Sequence, residues 1–74
     1  MTNSAIKNLT GGRAIRIARI CDLTGSSRAT IWRWVHGDVG FPRPFKLSER
    51  VTCWDEGEVL AWIEAKKAQR RVSL

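Results

Sequence analysis

Few side chains in this 74-residue chain could do covalent chemistry, and each has a simpler use. The one histidine, His36, precedes Gly37, where a helix should end. A cation there suits the negative helix terminus or a phosphate better than general-base work. Cys21 and Cys53 stand alone. With no Cys-x-x-Cys pair and one histidine, no metal-ligand set can be assembled, so no structural zinc and no cofactor is expected. A single disulfide is the alternative to two small buried thiols, and nothing in the sequence points to an oxidising compartment. Asp55, Glu56 and Glu58 resemble a carboxylate cluster, but they fall where a helix begins, and the positive end of its dipole explains them. Thr10-Gly11-Gly12-Arg13 lacks the spacing and the Lys-Ser/Thr ending of a phosphate loop. An enzyme is therefore not expected.

The residues that remain are cations. Lys and Arg total 13, nine of them Arg, against 7 acids, for a formal charge of +6. Hydrophobic residues make up 43%, enough to fold. The composition is that of a small basic domain with an anionic partner, most simply nucleic acid. No apolar run approaches the ~20 residues of a membrane span, and Met1–Gly12 has no signal-like stretch. A cytoplasmic, nucleoid-associated protein is expected.

Position decides what those cations can do. Ile17, Ile20, Cys21 and Leu23 have helical spacing, so a short helix is expected over 18–24, closed by Gly25. Ser27 is the favoured cap of a second helix over 28–36. Helix, short turn, helix is the spacing of a helix-turn-helix unit. At ~100° per residue from Arg28, Ile31, Trp34 and Val35 fall between ~240° and ~340°, a core face. Arg28, Ala29, Trp32, Arg33 and His36 occupy 0° to ~140° on the same wheel. That face offers two guanidinium forks for guanine or phosphate, an indole donor and a small residue permitting close approach. The N-terminal residue Ser27 joins it.

The flanking elements complete the frame. Arg13–Ile17 alternates and suits a short strand or an extended lead-in. Asp38-Val39-Gly40 is a loop. Phe41-Pro42-Arg43-Pro44-Phe45 cannot be helical, because two prolines remove donors and extend their predecessors. It reads as a rigid lead-in anchored by two Phe rings, or as a polyproline ligand. Phe45-Lys46-Leu47 and Val51–Trp54, joined by Ser48-Glu49-Arg50, form a β-hairpin that must pack on the helices to be stable. With Lys46 and Arg50 near its tip and Arg43 at its base, it makes a wing. Asp55 caps a third helix, with Glu58 at the capping-box position. Val59, Trp62, Ile63 and Lys66 form its stripe, with Leu60 at the edge. Its basic end, Lys66 to Arg71, suits either the helix dipole or phosphate. The expected fold is thus mainly α with a small β-hairpin: three helices plus a wing over 13–74, behind a flexible arm over 1–12.

From Ile15 onward, about four-fifths of the chain resembles the AlpA family of phage- and mobile-element-associated transcriptional regulators. The resemblance is carried by Ile15-Arg16-Ile17 and by Leu23-Thr24-Gly25-Ser26-Ser27-Arg28-Ala29-Thr30-Ile31-Trp32-Arg33-Trp34-Val35. Phe41-Pro42-Arg43-Pro44-Phe45-Lys46-Leu47 and Trp54-Asp55-Glu56-Gly57-Glu58-Val59-Leu60-Ala61-Trp62-Ile63 continue it in order. Ser26 stands where the family usually has an apolar residue. Trp32 stands where it often has Tyr, keeping the ring and exchanging a phenol for an indole donor. The resemblance implies a MerR/excisionase-like winged helix-turn-helix, with Arg28, Ala29, Trp32 and Arg33 on the recognition surface and the hairpin as the wing. It implies a sequence-specific regulator of integrase or excisionase genes that binds double-stranded DNA, with RNA polymerase or an integrase as candidate protein partners. An excisionase-like DNA-bending factor on the same fold is the alternative. A protein-interaction module using Trp32 and the Phe41–Phe45 segment is a third reading. One small module has limited base readout, so a monomer or weak dimer on repeated sites is expected.

Overall fold

The computed structural model describes residues 12–72. The expected N-terminal arm therefore lies outside the described residues, except for Gly12. The order of elements is β1 (Ala14–Ile15), α1 (Ile17–Thr24), α2 (Arg28–Gly37), β2 (Phe45–Ser48), β3 (Val51–Asp55) and α3 (Glu56–Val72). Three helices and a small antiparallel sheet make the winged helix-turn-helix expected from the sequence. No helix of the described residues is long and apolar enough to cross a membrane.

The α1–α2 unit is closed by local hydrogen bonds. Gly25 ends α1 at φ 70°, in the left-handed region, and its N–H donates to the Cys21 carbonyl at 2.7 Å. Only a residue without Cβ takes that turn cheaply. The Thr24 hydroxyl donates back to the Ile20 carbonyl at 2.8 Å and accepts from the Ser26 N–H at 3.3 Å. Ser27 then caps α2, its hydroxyl accepting from the Thr30 N–H at 3.2 Å. α1 starts at Ile17, one residue earlier than expected, because the Arg16 carbonyl already accepts from the Arg19 and Ile20 N–H groups. α2 runs through Gly37, one residue beyond the expected end, and Asp38 caps it by donating its N–H to the Trp34 carbonyl at 2.8 Å.

The sheet has three strands, in the order β1-β3-β2. Ala14 pairs with Asp55 and Ile15 with Trp54, so the lead-in is a true strand and β3 extends to Asp55. A hairpin of two strands thus becomes a sheet anchored on both sides of β3. The same neighbourhood starts α3. The Glu56 N–H donates to the Arg13 carbonyl at 2.8 Å, and the Asp55 carboxylate accepts from the Gly57 N–H at 2.8 Å. Two donors of the first turn are thereby satisfied, which a buried helix start requires. Gly12 lies against this turn, where an added methyl would overlap the Gly57 amide.

Ile15, Ile20, Ile31, Val35, Phe41, Trp54 and Val59 form the buried core. It draws one or two residues from nearly every element, which is how a chain this short shares out burial. A second aromatic group closes the far end: Trp34 lies 5.0 Å from Trp62 and 5.8 Å from Phe41, and Phe41 meets Trp62 edge-on at 4.9 Å. Lys66 sits 5.3 Å over the Trp62 ring and pairs with Asp38 at 3.4 Å. The Phe41–Phe45 segment is therefore held to α3 by the Phe41 ring, whereas Phe45, expected to be a second anchor, is half-buried and stands outside the core. Both cysteines are free thiols, with Cys53 buried.

Candidate nucleic-acid interface

α2 divides as its wheel predicts. Ile31 and Val35 are buried and Trp34 is half-buried, whereas Arg28, Ala29, Arg33 and His36 are exposed. Trp32 belongs to both sides. It is 38% exposed, its ring stacks on His36 at 6.0 Å with 23° between planes, and it leans on buried Trp54 at 5.5 Å. The outer face of α2 thus carries an aromatic pair seated on the inner strand of the wing.

Ser27 is exposed, but its hydroxyl is occupied within the chain: it accepts from the Thr30 N–H and donates to the Thr30 hydroxyl at 3.1 Å. The Arg33 guanidinium donates to the same Thr30 oxygen at 3.5 Å. Thr30 therefore links the cap to Arg33. Thr30 carries no charge to mark it in the sequence, although i, i+3 spacing to Arg33 puts the two on neighbouring positions of a helix.

On the wing, Lys46 and Arg50 are exposed, and the Lys46 ammonium donates to the Glu49 carbonyl at 3.4 Å across the turn. Arg43 is exposed on the proline segment and lines a groove against α3 together with Glu58, Lys66 and Gln69. The structure thus brings Trp32 and His36 into contact and joins Trp32 to β3.

The ion pairs sort the cations. Glu56 bridges Arg13 at 3.7 Å and Arg19 at 3.3 Å, tying the start of α3 to β1 and α1. Lys66 is paired with Asp38, and Lys67 with Glu64 at 3.2 Å. Arg28, Arg33, Arg43, Lys46 and Arg50 have no acidic partner among the described residues. Arg16 and Arg70 have none either, so the uncompensated positive charge includes the outer face of α2 and the wing without being confined to them. Such a surface attracts a polyanion from a distance.

Leu47 is an apolar feature of the wing that its sequence does not mark. It is 54% exposed, although alternation from Phe45 would return it to the inner face. The ladder explains the reversal. Lys46 pairs with Thr52 but Ser48 with Val51, so β2 contains one extra residue, and a bulge of this kind turns its side chain aside.

Among the described residues no group of His, Cys, Asp and Glu could hold a metal ion. No curated protein and no solved structure matches the chain. A family model described as prophage CP4-57 regulatory protein (AlpA) matches residues 13–67, from the residue before β1 well into α3. That span takes in the whole helix-turn-helix and the whole wing, and the chain belongs to the AlpA family of phage regulatory proteins.

Proposed function

We propose that the chain is a sequence-specific DNA-binding transcriptional regulator of phage or mobile-element genes, integrase or excisionase genes being the expected targets. α2 lies in the major groove with Arg28, Ala29, Trp32 and Arg33 toward the base edges and His36 toward the backbone. Lys46 and Arg50 contact the adjacent phosphates, and Arg43 extends that contact. The carrying observation is the face of α2 opposite its buried Ile31 and Val35, which presents two arginines without acidic partners beside an aromatic pair. Arginine forks onto guanine, and a small residue such as Ala29 lets the helix approach closely. The protein acts in the cytoplasm on nucleoid DNA, as a monomer or weak dimer on repeated sites.

Selection of bound duplexes from random-sequence DNA at a fixed salt concentration tests the reading. A recurrent motif of a few base pairs, tandem or inverted, is the expected result. Recovery of unenriched sequence would reduce the protein to a non-specific binder, and no retention at low salt would remove DNA as the partner.

A further inference from the structure

Leu47 is the residue of the wing that charge does not explain. It is the unpaired member of the β2 bulge, and more than half of its side chain stands in water. Its neighbours Lys46, Ser48, Glu49 and Arg50 are all exposed and polar. It takes no part in the core or in the partly buried side chains packed around it. An aliphatic tip held clear of the fold forgoes the stabilisation that burial would give. Here it is flanked by two cations without acidic partners, with one acid, Glu49, between them on the turn, and a ligand anionic at its margins and apolar within would suit it. The minor groove of a duplex has that composition: phosphates on both rims, deoxyribose walls, and base steps that open to an apolar wedge.

We propose that Leu47 is such a wedge. With α2 in the major groove, the wing enters the neighbouring minor groove, Lys46 and Arg50 hold the two rims, and Leu47 parts one base step. The duplex kinks toward the major groove of that step, on the side away from the wing. The bulge is what makes this geometry available, because a regular ladder would turn Leu47 back to the side of Phe45. The inference rests on the DNA-binding reading above and adds a mechanical role to it: the protein shapes its site as well as occupying it.

The test uses the full chain and a duplex of about 30 base pairs recovered by selection with it, labelled at both ends for energy transfer. The wild-type chain is expected to bend the duplex by about 20–90°. Leu47→Ala and Leu47→Gln are expected to leave the duplex straight and to bind about threefold or more weakly, because the unstacked step is no longer occupied. Their salt dependence stays unchanged, since no phosphate contact is lost. Leu47→Met, still an apolar wedge, keeps the bend. A straight duplex under the wild-type chain overturns the wedge while leaving DNA recognition intact, and so does an equal bend under Leu47→Ala and Leu47→Gln. Failure of the wild-type chain to retain any duplex at low salt overturns the DNA-binding reading itself.

Discussion

The rings of Trp32 and Trp54 lie 5.5 Å apart, tilted by 59°. One is on the exposed face of α2 and the other is fully buried on β3, so this contact connects α2 to the inner strand of the wing. Through it, a partly exposed side chain of the outer face of α2 is packed against the sheet.

Trp54→Ala should therefore be nearly as damaging as any change in the chain. Emptying a fully buried indole site costs about 3–5 kcal/mol. A domain this small has little more than about 5 kcal/mol in total. Urea titration followed by circular dichroism should find the variant largely unfolded at room temperature. Trp32→Ala removes a ring already 38% exposed, and the expected loss is about 1–2 kcal/mol. Equal losses for the two would mean that Trp32 is chiefly structural.

The sorting of cations by ion pairing leads to a salt prediction. Three phosphate contacts, one for each of Arg43, Lys46 and Arg50, correspond to a slope of about −2.7 in log K against log salt. Lys66→Ala should leave that slope unchanged, because Lys66 is committed to Asp38 and the Trp62 ring. Titrations between low and moderate salt check both statements, and an affinity indifferent to salt is incompatible with the proposed interface.

Arg33 should read a base. Arg33→Ala is expected to cost about 1–3 kcal/mol and to relax one position of the selected motif. Thr30→Val, which removes the oxygen that receives Arg33, should blur the same position with a smaller loss of affinity. Uniform weakening on all sequences would make Arg33 a phosphate contact.

Much of this arrangement could be read from the residues alone, where a period or a turn signal was strong. The two faces of α2 follow from its 3.6 period, and Gly25 and Ser27 mark the turn through their own conformational and capping chemistry. The misses occur where a period has no room to show itself. β1 is two residues long, too short for alternation to separate a strand from a lead-in, and its pairing with β3 is a tertiary event. The bulge at Leu47 reverses a two-residue period that looks regular on paper, and only the register of the opposite strand reveals it. The ion pairs of Glu56 join residues 37 and more positions apart, which no local pattern encodes.

Ser27 poses the sharpest question, because its position faces the proposed ligand while its hydroxyl serves the helix. The hydroxyl accepts from the Thr30 N–H at 3.2 Å, so Ser27→Ala should lower stability by about 1 kcal/mol. Ser27→Asp keeps a capping oxygen and adds a charge that the positive end of α2 favours, so thermal unfolding should be as late as in the wild-type chain or later. On DNA the two variants should part in the opposite sense. Placed where the N-terminus of α2 approaches a phosphate, the aspartate meets a like charge, and affinity should fall about tenfold or more even though the fold is intact. Ser27→Ala, once folded, should bind nearly as well as the wild-type chain. If Ser27→Asp binds with unchanged affinity, the N-terminus of α2 points away from the backbone, and the helix must enter the groove by its middle, around Trp32 and Arg33.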